Sequence, residues 1–291
     1  MPPITRIAFL IPLLLSLALP ACMSTSPASE QIDWHRQRLS ALRAEDGWLT
    51  LVGLDFLSEG SQTIGNCGGA TFSYPNCADP IVGRLDVDGD TVRFTPNGAN
   101  EPTLLTSDDV GAPSVIRSGS VSFTLVRRNG RLALRVKDNA SPVRTDFTGI
   151  ELFPFDPSLV VEARALPPAG GERVSITNVR GFVEEQPVAA TLDFSLGGAP
   201  QRLIATSGSN GRLFVVFADA TNGGETYGGG RFLDLPAPRS GVVSIDFNKA
   251  YNPPCCFTAF ATCPLPPASN RLALAVRAGE RAPITSDSNR H

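Results

Sequence analysis

The sequence predicts an all-β exported domain, an antiparallel β-sandwich or barrel of many hairpins with one short N-terminal amphipathic helix. Three observations predict it. An apolar leader-like run opens the chain, short segments rich in Val, Phe, Leu and Thr follow Trp48, and 27 glycines and 25 prolines punctuate those segments.

The leader comes first. Arg6 precedes an apolar run from Ile7 to Leu19, broken only by Pro12 and Ser16, which is too short to span a bilayer and matches a signal-peptide core. The run ends in Leu19-Pro20-Ala21-Cys22, which resembles a bacterial lipobox, so residues 1–22 are expected to be a signal peptide with lipidation at Cys22. Met23 in place of an aspartate resembles the outer-membrane sorting choice. The expected product is a lipoprotein on the periplasmic side of the outer membrane, held by its N-terminal lipid without a spanning helix. Cleavage without lipidation, leaving a soluble periplasmic protein, is the alternative. Residues 23–29 read as a polar tether.

Residues 30–47 read as the helix, with Ile32, Leu39 and Leu42 on one face and Gly47 as the stop. Residues 48–281 then form the β domain, with Leu166 to Gly171 as a possible subdivision, and 282–291 are expected to be a disordered tail. Three turns set hairpin registers. Gly89-Asp90 places Val87 opposite Val92 and Leu85 opposite Phe94, and Asn129-Gly130 places Phe123 opposite Val136 and Leu125 opposite Leu134. Asn210-Gly211, taken as a two-residue loop, places Thr206 opposite Val215 and Ala205 opposite Val216. That last hairpin is apolar on both faces, which predicts a central, covered position.

The composition excludes several functions. A net charge of −3 and the lack of any Lys/Arg run remove the electrostatic signature of a nucleic-acid partner. The two histidines are His35, on the predicted helix, and His291, the last residue, which argues against Ser-His-Asp, Cys-His and His-metal chemistry. There is no G-x-S-x-G, Walker loop or dinucleotide fingerprint, and no cofactor or metal is expected.

Cys67 and Cys77 bracket a Gly-rich stretch at a spacing that suits a local disulfide in an oxidising compartment. Cys255, Cys256 and Cys263 crowd together, so one of the first two is expected to bond Cys263. A thiolate metal site there would want a fourth ligand, and a reactive thiol would want a base.

The candidate ligand-binding residues are polar positions in segments otherwise built for packing. They are Arg135, Lys137 and Asp138 at a strand end, Arg144 just after, Tyr227 and Arg231 around a glycine run, Asp246, Asn248, Tyr251 and Asn252 before a Pro-Pro-Cys turn, and Arg271. Trp48-Leu-Thr-Leu-Val-Gly-Leu-Asp55, Arg135-Val-Lys-Asp138, Thr226-Tyr-Gly-Gly-Gly-Arg-Phe232, Asp246 through Tyr-Asn-Pro-Pro-Cys255, Cys263-Pro-Leu-Pro-Pro267 and Asn270-Arg-Leu272 resemble the bacterial family catalogued as domain of unknown function 1684. The resemblance implies a shared motif set without an activity, and it favours Cys255 with Cys263 as the bonded pair.

The expected function is an envelope-anchored domain that binds a small polar or carbohydrate-like ligand, or another envelope component, without catalysis. The alternative is a histidine-independent hydrolase or lyase on envelope material, with carboxylates such as Asp138 and Asp246 as acid and base and Arg or Tyr stabilising charge.

Overall fold

The computed structural model describes residues 26–283. The predicted signal peptide, Cys22, the first part of the tether and nearly all of the predicted tail lie outside these residues. No helix among the described residues is long and apolar enough to cross a membrane.

The helix α1 is Pro27–Arg43, so its first turn takes up the end of the predicted tether. Ser26 caps it by accepting from the Ser29 N–H at 3.2 Å, Pro27 occupies the first turn, and Glu30 and Arg43 complement the two ends of the helix dipole. Of the predicted apolar face, Leu42 is buried and Leu39 packs beside it against Leu49 and Ile150, whereas Ile32 turns outward. Ile32 is 57% exposed, while Gln31 and Leu42 are buried. Gln31, Arg38 and Leu42 are spaced by seven and four positions, so they share the inner face, and the helix docks through the Leu39 and Leu42 contacts as well as through polar groups. A second helix, α2 (Pro142–Thr145), is a single turn.

The strands in chain order are β1 (Leu51–Phe56), β2 (Gly60–Gly65), β3 (Phe72–Ser73), β4 (Gly83–Asp88), β5 (Thr91–Pro96), β6 (Thr103–Leu104), β7 (Val115–Ser118), β8 (Val121–Arg128), β9 (Arg131–Asp138), β10 (Val160–Leu166), β11 (Arg173–Thr177), β12 (Val183–Leu196), β13 (Ala199–Ser207), β14 (Leu213–Phe217), β15 (Arg231–Leu235) and β16 (Val242–Asp246). They make three sheets. One is ordered β1-β9-β8-β7, the second β3-β2-β4-β5-β6, and the third β15-β14-β13-β12-β10-β16 with β11 added to β12. All ladders are antiparallel except the short β2–β3 pair.

The first two sheets face each other as a sandwich. Alternate residues of β4, β5, β8 and β9, among them Leu85, Val92, Phe123, Leu134 and Val136, meet in one buried core. The third sheet wraps a separate core around Leu192, Leu203, Val215, Phe217, Leu233, Ile245 and Phe247, and its outermost strands β15 and β16 approach each other. The chain passes from the sandwich to the third sheet through residues 139–159, whereas Leu166 to Gly171 joins β10 to β11.

Two of the three predicted registers are present. Val87 faces Val92 and Leu85 faces Phe94, while Phe123 faces Val136 and Leu125 faces Leu134. The third is off by one residue, since Thr206 faces Phe214. The loop there has three residues, Ser209 to Gly211, closed by the Gly208 N–H donating to the Arg212 carbonyl, with Asn210 left-handed at φ 56°. The predicted central position of β14 is observed, with β13 and β15 on its two sides.

The disulfide expectations are corrected: all five cysteines among the described residues are free thiols. Cys77 is turned into the sandwich core while Cys67 stays half-exposed, and the loop between them is closed by the Asn66 side chain donating to the Cys77 carbonyl at 3.0 Å. Cys255 and Cys263 are neighbours without being bonded, the Cys255 N–H donating to Cys263 Sγ at 3.1 Å.

Candidate functional site

Where the far end of the β8–β9 hairpin meets the third sheet, the protein encloses a cavity of about 440 Å³. One wall is Arg127, Arg128 and Asn129 at the hairpin turn. A second is the β11–β12 ribbon, with Ile176, Asn178, Phe182, Glu184 and Gln186. The β13–β14 hairpin contributes Thr206, Ser207 and Phe214, and the cysteine-rich loop closes the site with Thr262 and Pro264. The ribbon can reach over because β12 is long: its first half pairs only with β11, and a bulge between Val188 and Ala190 separates that half from the part held between β10 and β13.

The lining combines the apolar Ile176, Phe182 and Phe214 with amides, hydroxyls and charges, the composition of a site for a small amphipathic ligand. The two lining arginines are already neutralised. Arg128 forks onto Asp108, with Nη2 at 2.6 Å and Nη1 at 3.0 Å, and Arg127 donates to Asp109 at 2.8 Å and Asp90 at 3.0 Å. Burial alone would raise the Asp108 carboxyl, but hydrogen bonds from Arg128 and the Arg127 N–H hold it below its usual range. The amides are less committed: Asn178 Oδ1 organises its own turn by accepting from the Arg180 and Phe182 N–H groups, and Gln186 donates to Glu184.

None of the residues chosen from sequence lines this cavity. Most are internal fasteners. Arg231 is fully buried, donating to Asp219 at 2.7 Å, to the Val276 carbonyl at 2.8 Å and to the Ala278 carbonyl. Asp138 accepts from Ser120, Asn76 and the Ala140 N–H; burial would raise its carboxyl, and these bonds depress it instead. Arg144 ties α2 to the Arg43 and Asn139 carbonyls. Asp246 accepts from the Asn248 backbone and side chain and pairs with Lys249 at 3.3 Å, while Asn248 exchanges hydrogen bonds with the Asp156 backbone. Asp138 and Asp246 are thus held by separate local partners, and neither faces the cavity. Lys137 donates to the Asp46 carbonyl, and Arg271 reaches only the Pro266 carbonyl at 3.5 Å.

Tyr251 and Asn252 do come together, around Glu280 and Arg38. Glu280, fully buried, accepts from the Asn252 N–H at 2.7 Å and from Arg38 of α1 at 3.3 Å. Arg38 also donates to the Asn252 carbonyl at 2.8 Å and lies 4.7 Å over the Tyr251 ring, whose hydroxyl donates to Asp234 at 2.8 Å. Tyr227 sits nearby, its hydroxyl donating to the Cys255 carbonyl at 3.3 Å. Burial raises the Tyr251 and Tyr227 hydroxyls and the Cys256 thiol, so these three groups are protonated at neutral pH. It is a packed seam between α1 and the third sheet.

Glu280 makes that seam pH-sensitive. Burial raises its carboxyl above the ordinary 4.5, against the pull of Arg38. The folded state therefore binds this proton more tightly than the unfolded state, so the stability it contributes is fully present below the unfolded value and is lost as pH rises through the folded one. Glu280→Gln keeps an acceptor for the Asn252 N–H and removes the titration. Urea denaturation across this range will show wild type losing ground to the variant as pH rises above about 4; a stability gap that does not change with pH would refute the assignment.

The family model described as "Protein of unknown function (DUF1684)" matches residues 145–281. An uncharacterized protein of Haloarcula marismortui, solved by solution NMR, is 35% identical, with 49% of this chain and 81% of that one covered and a TM-score of 0.41. Comparison with curated proteins returned no match.

Proposed function

The chain belongs to the DUF1684 family, and from that premise we propose that it is an envelope-anchored module that binds a small polar, carbohydrate-like ligand without catalysing a reaction. The observation that carries the reading is the cavity itself. Aromatic and aliphatic side chains line it together with amides and hydroxyls, a combination suited to a ring that is apolar on its faces and hydroxylated at its edge. All of its walls except Arg127, Arg128 and Asn129 fall within residues 145–281. Glu184 is the one carboxylate lining it among the described residues, which leaves an acid/base pair without a second member. The anchoring part of the reading rests on the Leu19-Pro20-Ala21-Cys22 leader.

Phe182 and Gln186, both half-exposed, test the proposal with little risk to the fold. Phe182→Ala and Gln186→Ala will each leave stability within about 0.5 kcal/mol of wild type, as surface substitutions do. Each will weaken binding of a mono- or disaccharide about tenfold in calorimetric titration, the loss expected for one stacking or hydrogen-bonding contact of about 1.4 kcal/mol. Should a saccharide panel bind wild type and both variants alike, the cavity is not the site.

A further inference from the structure

We propose that Glu184 receives a cationic group of the ligand, so that the cavity takes an amino sugar with a free ammonium in preference to a neutral or acidic sugar. This rests on the cavity being the binding site.

Glu184 lines the cavity, and strand alternation accounts for its place there. Residues 184, 186 and 188 of β12 fall on one face, and Val188 on that face is buried with Val174, Ile176 and Ile204. Glu184 stands opposite Ile176 of β11, itself a lining residue. Glu185, on the other face, is taken by the Ser175 hydroxyl. The Glu184 carboxylate has one partner among the described residues, the Gln186 side-chain amide, which donates to it at 3.1 Å.

No cation among the described residues answers that carboxylate. The two lining arginines, Arg127 and Arg128, are matched to Asp90, Asp108 and Asp109, three carboxylates for two guanidinium groups. The basic residues of the ribbon itself are engaged elsewhere, Arg173 donating to the Glu185 carbonyl and Arg180 to the Ala259 carbonyl. Arg135, on β9, packs 5.7 Å from the Trp48 ring and is not a lining residue. The charged lining and its bound partners therefore carry more negative than positive charge, the complement of an ammonium.

The aromatic lining agrees. The face of an aromatic ring attracts a cation, and guanidinium groups lie over Phe56, Phe147, Phe153 and Phe217 elsewhere in the protein. Phe182 and Phe214 carry none among the described residues, and Phe214 is held edge-to-face against Phe232 with ring centroids 4.9 Å apart. A sugar ammonium thus meets a carboxylate without a counter-ion and two rings without a cation, whereas an acidic sugar would bring its own carboxylate toward Glu184.

Calorimetric titration at neutral pH with glucose, glucosamine, N-acetylglucosamine and glucuronate tests the ligand class. Glucosamine will bind at least about threefold more tightly than glucose, the scale of a partly solvated ion pair with some cation–π attraction. N-acetylglucosamine, with a neutral amide at the same position, will show no such gain, and glucuronate will bind most weakly. Glu184→Gln, which preserves the shape of the side chain, will remove most of the glucosamine preference. In the unmodified protein the preference will fade as pH rises through the ammonium's own pKa. Equal affinity for glucosamine and glucose, a match between glucosamine and its N-acetyl form, or a preference that survives Glu184→Gln or loss of the amine's proton overturns the proposal and leaves the cavity as a neutral-sugar site. Absence of binding by all four sugars overturns the cavity reading, and this proposal with it.

Discussion

Asp219→Ala will lower the stability of the protein by about 3–5 kcal/mol, the range for removing one partner of a fully buried ion pair. The Asp219 and Arg231 side chains are 1% and 0% exposed and meet at 2.7 Å. Every oxygen of the carboxylate is used: Oδ2 accepts from Arg231, and Oδ1 accepts from the Thr221 N–H, the Thr221 hydroxyl and the Val276 N–H. Arg231 in turn reaches the Val276 and Ala278 carbonyls and lies over Phe217 at 5.3 Å. The pair therefore stitches β14 and β15 to the closing segment of the chain. Removing the aspartate leaves a guanidinium in the core, with its Nε already unsatisfied. The double replacement Asp219→Val with Arg231→Met removes both charges and will cost less than Asp219→Ala alone. Urea denaturation followed by far-ultraviolet circular dichroism measures all three proteins, and a single-variant loss below about 1 kcal/mol, the scale of an exposed pair, would contradict the burial.

Gly279→Ala will destabilise by about 2–5 kcal/mol, combining the left-handed backbone penalty with overpacking. Gly279 has φ +73°, and a Cβ there would fall on the Ala250 carbonyl oxygen, which is backbone and cannot swing aside. Both strands of that contact are pinned, the Phe153 N–H donating to the Gly279 carbonyl at 3.0 Å and the Glu280 N–H to the Ala250 carbonyl at 2.8 Å. Gly89→Ala is the control. Its φ is +54° but a Cβ there meets nothing within 4 Å, so it will show only the backbone penalty of about 1–2 kcal/mol. Equal losses at the two positions in thermal denaturation would show that the close approach at Ala250 does not matter.

The β character and two of the hairpins were legible because two-residue turns and period-two alternation are local signals. Gly89-Asp90 and Asn129-Gly130 determine pairing from within a dozen residues. Asn210-Gly211 carried the same dipeptide signal, but Ser209 joins the loop, and nothing in the composition distinguishes a three-residue loop from a two-residue one there. The candidate site was much less legible. Arg231, Asn248 and Asp138 stood out as polar residues among apolar neighbours, and that contrast marks a satisfied interior group as readily as a ligand contact. The cavity draws instead on ordinary rim residues such as Gln186, Thr206 and Thr262, from segments far apart in the chain, which only the tertiary arrangement brings together. Arg135, one of the candidates, has an Nε without an acceptor among the described residues, a feature that appears only in three dimensions. Asn129 and Thr206, noted only for hairpin turn and register, are the residues of the sequence reading that lie in the cavity wall.

The polar seat of α1 has a kinetic corollary. Arg38 joins residues 214 and 242 positions downstream, near the last described strand contacts of the chain. Leu39 and Leu42 can pack early against Leu49 and Ile150, but the Arg38 contacts form only once that distant segment has been synthesised and threaded into place, and ring closure over such a span is entropically slow. The start of the helix is thus among the last parts to become immobile, and refolding monitored at Trp34, in that part, will lag behind a probe in the sandwich.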